Sequence, residues 1–273
     1  MNYKIFNIRG EDLDINNFQK VDVNHRFLYD GVLAEIKCFK DDKTDLMYYT
    51  FFNNVTFAIA KNNDKKELDN INLSNCQYDD IYHAYFYNED MSEEEISKTL
   101  RNSTTLKLDE FNCYKRKHMK VVFSEKGFVL CSMKDKYDLQ SSFERVLLQF
   151  LLSLAYNTYT EKLISKVTEA YNRLDYPKMI SLRDEIYAFG LKSFFHNPVK
   201  QNRHESFELW NMISKNYYVE IKHNEMKSQI ADLTGVIERK YKDEQEVKRK
   251  RLEKILGIIG FLLALTSLIG VYK

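Results

Sequence analysis

The chain has 273 residues, 41 Lys and Arg against 40 Asp and Glu, a net charge of +1, and 44% hydrophobic residues. That length allows one or two domains. The balanced charge gives no basic excess of the kind a nucleic-acid partner would require, so none is expected. Cys38, Cys76, Cys113 and Cys131 are widely spaced with no C-x-x-C pair. They suggest neither a zinc site nor a disulfide framework, and reduced thiols in a cytosolic compartment suit them.

The first residues, MNYKIFNIRGEDLDIN, hold no apolar run that would serve as a signal peptide. The sequons at Asn54, Asn72 and Asn102 therefore read as accidents of an Asn-rich composition. Only two prolines and eight glycines occur, too few for flexible linkers, so a compact body is expected.

In chain order, residues 1–137 predict an α+β domain dominated by strands. Tyr3–Ile8, Val32–Phe39, Met47–Phe52 with Val55–Ala60, and Ile81–Tyr87 are short runs rich in aromatic and β-branched residues, separated by polar clusters at Lys40–Asp45 and Lys61–Asn70. Ser92-Glu93-Glu94-Glu95 is a capping box opening a short helix to about Arg101. His118–Ser124 and Phe128–Met133, joined through Gly127, read as a β-hairpin.

From residue 138 the pattern becomes helical. Ser141-Ser142-Phe143-Glu144 is a second capping box, followed at helical spacing by Phe143, Val146, Leu147, Phe150, Leu151 and Leu154. The run Val146–Tyr156 is too short for a membrane span and carries Gln149 and Ser153, so it reads as a buried core helix. Asp175-Tyr176-Pro177 breaks the chain and starts a second helix, which His196-Asn197-Pro198 ends. Residues 138–200 are thus expected to be antiparallel helices.

Residues 201–254 predict a stalk helix continuous from about Asn202, with an apolar seam of Ile230, Leu233, Ile237 and Tyr241 that points to a coiled coil. From Ile255 to Tyr272 there is no charged residue, a length of about 27 Å as a helix, and residues 255–272 are expected to span a bilayer. The cationic collar Lys248, Arg249, Lys250, Arg251 and Lys254 places the long N-terminal part on the cytoplasmic side of an inner membrane, crossed once. Gly260, Ala264 and Ser267 lie along one face of that segment, and Thr266 and Gly270 form a second small-residue pair. Both would let such helices associate into a homo-oligomer.

The chemistry-bearing residues form no catalytic signature. His25, His83, His118, His196, His204 and His223 show no H-x-x-x-H spacing, and no Walker, G-x-G-x-x-G or G-x-S-x-G pattern occurs. No catalytic residue, cofactor or metal is therefore expected. Asp79-Asp80 and Glu93–Glu95 read as surface acids, and Lys115-Arg116-Lys117-His118 as a solvated strand end.

The order of these parts resembles the CorA family. The features that look alike are Leu182-Arg183-Asp184-Glu185, Phe195 with Asn197-Pro198, Leu209-Trp210 before the stalk, and Leu252–Val271 as a membrane helix. The likeness covers residues 140 to 273 in pattern and the N-terminal part only in class. The family's Gly-Met-Asn selectivity motif is absent, so magnesium selectivity is not implied. What the resemblance implies is a CorA-like membrane effector of anti-phage defence.

The function expected on these grounds is a membrane-anchored oligomeric effector that perturbs membrane integrity or ion gradients when a protein or small ligand triggers its cytoplasmic domain. A tail-anchored scaffold or sensor without conduction is the alternative. An enzyme with a dispersed site is the third possibility.

Overall fold

Short aromatic and β-branched runs in the N-terminal half form a mixed sheet, its strands Asn2–Ile8, Met119–Ser124 and Gly127–Ser132 buried at every residue, in the computed structural model, which describes residues 1–9, 18–22, 26–42, 44–71, 73, 77–109, 112–133 and 139–271. The strands are β1 (Asn2–Ile8), β2 (Gln19–Val21), β3 (Ile36–Asp41), β4 (Leu46–Phe51), β5 (Val55–Asn62), β6 (Tyr78–Tyr87), β7 (Cys113–Lys115), β8 (Met119–Ser124) and β9 (Gly127–Ser132). They lie in the order β2-β3-β4-β5-β1-β6-β9-β8-β7. Only β6 and β9 pair in parallel; every other neighbouring pair is antiparallel.

Short helices fill the connections: α1 (Asp30–Ala34), α2 (Lys65–Asn70) and α3 (Glu93–Arg101). The expected strand at Val32 is instead helix α1, with Val32 fully buried. The polar cluster Lys61–Asn70 contains α2, whose first turn Asp64 caps by accepting from the Lys66 N–H. The capping box at Ser92 forms in both directions: Ser92 Oγ accepts from the Glu95 N–H and the Glu95 carboxylate accepts from the Ser92 N–H.

The β8–β9 hairpin closes as expected, and Gly127 has a second duty there. Its φ is +139°, and a Cβ added to it would sit 1.7 Å from the His83 carbonyl oxygen. The glycine is what lets β9 approach β6.

The main core lies on one face of the sheet, under α4 (Gln140–Asn172), α5 (Tyr176–Lys192), α6 (His204–Asn216) and α7 (Val219–Val271). Helix α4 is buried along Val146–Tyr156, including Gln149 and Ser153 at 0% exposure. It is therefore the core helix expected from its length. It begins at Gln140, one residue before Ser141, with Leu139 at the N-cap, so the Ser141 box does not cap it. Asp175 caps α5 by accepting from the Lys178 N–H, with Pro177 in the first turn. The opposite sheet face is covered by two smaller clusters, around Phe6, Ala58 and Leu68 and around Tyr85, Ile96 and Val129.

Two expectations for the C-terminal part are corrected. The single long helix from Asn202 is divided at Tyr217–Tyr218, where Tyr218 adopts a left-handed φ of +54°. The membrane-spanning helix is overturned as well: among the described residues no helix is long and apolar enough to cross a membrane. The described side chains of α7 are heavily charged through Lys254, and the apolar run among them covers only Ile255–Phe261. Cys76, His25 and Asn72 lie outside the described residues.

Two predictions test this packing. Gly127→Ala should destabilise by more than about 3 kcal/mol in urea unfolding, because both the Cβ clash and the positive φ oppose it. The second concerns His223, 8% exposed, whose ring stacks on Phe194 at 3.5 Å and whose Nδ1 has no partner among the described residues. Burial, with lesser effects from Lys227 and His196, lowers its pKa to about 4. The unfolded chain therefore binds the extra proton first, and stability should fall as pH drops from about 6.5 to 4. His223→Leu should remove that part of the pH dependence relative to wild type.

Candidate functional site

Where β1, β6, the β4–β5 and β8–β9 turns and helices α3, α4, α6 and α7 converge, a cleft of about 830 Å³ opens at one end of the sheet. The end of β1 supplies Asn7 and Arg9, and the start of β6 supplies Asp79, Asp80 and Tyr82. Helix α4 presents Leu154, Asn157, Thr158, Glu161, Lys162 and Ser165, a stripe at three- and four-residue spacing. The α6–α7 joint adds Asn216, Tyr217, Tyr218 and Lys222.

Three ion pairs border the cleft. Arg9 Nε and Nη2 both reach Asp79 Oδ1 at 2.5 Å, Arg101 meets Glu125 at 2.6 Å, and Lys222 of α7 pairs with Glu161 of α4. All three are substantially exposed, so each contributes little to stability and can open at small cost. Lys162 has no partner among the described residues. With Asp80 it brings the described lining to four acids and four bases. Tyr82 stays neutral at all ordinary pH: burial raises its pKa, and Asp80 and Glu161 beside it raise it further.

Deeper in, Asn157 and Tyr217 fix the joint. The Asn157 Nδ2 donates to the Tyr217 carbonyl at 2.6 Å, and the Tyr217 hydroxyl donates to the Ser124 carbonyl at 2.6 Å. Tyr217 is 9% exposed, and burial holds its hydroxyl well above the usual phenol range. The Asn157 Oδ1 has no partner among the described residues, in a residue only 9% exposed. A buried acceptor in this condition costs about 1–3 kcal/mol unless something donates to it.

The sequence-derived residues fall elsewhere. Ile230, Leu233 and Ile237 are buried in the chain's own core at 3%, 3% and 4% exposure, while Tyr241 is 57% exposed. Three of the four seam positions are thus occupied within one chain. Every described residue from Tyr241 to Phe261 is exposed. In the collar, Arg249 pairs with Glu253 and Lys250 with Glu246 along the helix. Lys248, Arg251 and Lys254 have no partner among the described residues. Gly260 has open space around it; the side chains of Ala264, Thr266, Ser267 and Gly270 lie outside the described residues. Among the described residues no group of three His, Cys, Asp or Glu is placed to hold a metal.

The cleft residues were not legible as a site because they come from separate stretches of chain. Only Asp79-Asp80 stood out, and that pair reads as surface acids. The one available signal was the polar stripe at Asn157, Thr158, Glu161 and Lys162, directly after the apolar run Val146–Tyr156. Comparison with known proteins finds no matching family model, curated protein or solved structure.

Tyr217→Phe should cost about 1–2 kcal/mol in denaturant unfolding, since it strips a buried hydrogen bond from the Ser124 carbonyl. An unchanged stability would show that the hydroxyl does not brace the joint.

Proposed function

We propose that this chain is a ligand-responsive effector or sensor: the cleft receives a small polar ligand, and α7 carries the response to a lipid surface. The observation that carries the reading is the placement of α7. Its first turn contributes Lys222 to the cleft wall, and the same helix continues for 53 residues, about 80 Å at 1.5 Å per residue. A small reorientation at its base therefore becomes a large displacement at its far end.

That far end has the chemistry of a lipid contact. Five cations, Lys248 to Arg251 and Lys254, adjoin the exposed apolar side chains Leu252, Ile255, Leu256, Ile258, Ile259 and Phe261. Cations of this kind are attracted to the anionic cytoplasmic leaflet, and an apolar end favours burial in its outer layer. The reading needs contact with the membrane, not a crossing of it. Like-charged collars repel one another, so a lipid surface suits them better than a second collar, while the helix beyond can still bring copies together. The setting in anti-phage defence rests on the CorA-like order of parts alone.

The test is flotation of the full chain with vesicles containing phosphatidylglycerol or only phosphatidylcholine. Binding should favour the anionic vesicles and fall with salt. Replacing Lys248, Arg249, Lys250 and Arg251 by Gln should weaken it by about 1 kcal/mol per charge. Equal recovery with neutral vesicles and with the substituted chain, or no flotation at all, would defeat the lipid reading.

A further inference from the structure

Helix α5 buries its inner side in the main core and leaves its outer side bare. That outer side carries Tyr176, Ile180, Arg183, Asp184, Tyr187 and Leu191, in steps of three and four residues with the two charges side by side in the middle. At this spacing they share one stripe of the helix. Tyr187 is 47% exposed and Leu191 85%, the highest value among the described large hydrophobic residues. Tyr176 and Ile180 are half-buried at the other end. We infer that this stripe pairs with the same stripe of a second copy of the chain, the two α5 helices running antiparallel about a two-fold axis.

The order of the residues selects that partner. Ile180 and Tyr187 are equally far from the midpoint between Arg183 and Asp184, and so are Tyr176 and Leu191. An antiparallel pair centred there sets Ile180 against the partner's Tyr187 and Tyr176 against the partner's Leu191. Every apolar contact then joins an aromatic to an aliphatic side chain, and the half-buried end of one stripe meets the exposed end of the other. A parallel pair would instead set each residue against its own copy, cation on cation and carboxylate on carboxylate.

Charge agrees with the antiparallel register. Arg183 Nε and Nη2 both donate to Asp184 Oδ1, at 3.0 and 2.9 Å. Successive residues of a helix do not face one another, so this contact is made along the surface, with the Asp184 side chain 63% exposed. Across the two-fold axis each Arg183 meets the partner's Asp184, and two ion pairs form at the centre of the interface. Self-complementarity of this kind is what an isologous contact requires.

The placement of α7 supports the same choice. Lys240 Nζ lies 5.3 Å from the Tyr176 ring, and the His223 ring lies 6.3 Å from that of Phe189, so α7 runs antiparallel beside α5. Pairing through α5 therefore points the two α7 ends away from each other and keeps the like-charged collars apart. Pairing through α7 would bring the collars together, and its apolar seam is already filled at Ile230, Leu233 and Ile237. One helix face is small against the roughly 800 Å² per partner of a standard interface, so a micromolar dimer is expected. The inference depends neither on the cleft nor on the lipid contact.

Sedimentation velocity of the full chain tests it, in a non-ionic detergent that occupies the apolar end of α7. Over about 1–200 μM the wild-type chain should pass from monomer to dimer, with Kd below about 50 μM. Leu191→Glu should weaken the dimer at least about tenfold. Arg183→Asp and Asp184→Arg each put like charges at the centre, so each chain alone should stay monomeric. An equal mixture of the two should form heterodimers at least as tight as the wild-type dimer. All three substitutions lie on the outer side of α5, and melting curves confirm that the variants fold. A wild-type monomer throughout the range, a dimer that survives Leu191→Glu and so forms elsewhere, or a mixture no more associated than its components would each overturn the inference.

Discussion

The constraint on which the rest of the molecule depends is that α4 must be buried from two sides at once. The sheet exposes one apolar face, and α5, α6 and α7 together expose another. Neither can hide its surface without the 33-residue helix between them. An aromatic chain records this double contact. Tyr3 stacks on Phe143 at 4.7 Å, Phe143 lies 5.5 Å from Phe128, Phe128 lies 5.3 Å from Phe150, and Phe150 lies 5.4 Å from Tyr217. Strand, helix and joint are thus in direct ring contact. Each fully buried Phe contributes about 1.5–3 kcal/mol of transfer free energy, so the row outweighs any single ion pair on the surface.

This packing explains why the cleft lies where it does. From Asn157 to Ser165 one face of the helix carries the polar stripe, while Tyr159, Leu163, Val167 and Ala170 keep another face buried. Side chains that would otherwise face solvent there are roofed by the α6–α7 joint. The joint is held by hydrogen bonds to backbone carbonyls at Tyr217 and Ser124. Fixed carbonyl partners give a rigid floor, while the exposed ion pairs above it give a rim that can rearrange.

Much of the fold was legible because local physics dictated it. The Ser92 box, the break at Asp175-Tyr176-Pro177 and the all-round apolar run of α4 each act over a few residues and formed where the sequence put them; the hairpin formed too, but its turn is Glu125-Lys126, with Gly127 the first residue of β9. What was missed depended on distance. Val32 joined a helix because the chain must turn beside Val199, with which Leu28 forms a bridge. The division at Tyr217–Tyr218 has no Gly or Pro to announce it; a bulky residue accepts a left-handed φ because Asn157 and Ser124 hold its neighbour. The seam Ile230–Ile237 was legible as apolar, but periodicity cannot say whether the face it meets belongs to the same chain. The cleft is the extreme case, assembled from residues 7 to 222 with no motif in any one segment.

The position of β1 has a consequence for how the chain comes to exist. Of the described strands, the earliest in the chain is the middle strand of the sheet, paired with β5 on one side and β6 on the other. Its partners extend to Tyr87, so a nascent chain carries Asn2–Ile8, every residue of it destined for burial, with both edges open until some 80 further residues have emerged. Sheet closure then waits again for β9, whose parallel pairing with β6 must bridge the whole α3 segment. Long-range pairing of this kind is slow, and an unpaired strand edge invites the wrong partner. Synthesis of this protein therefore passes through an interval in which its most central element is its most exposed one, and that strand is where a holdase chaperone would bind.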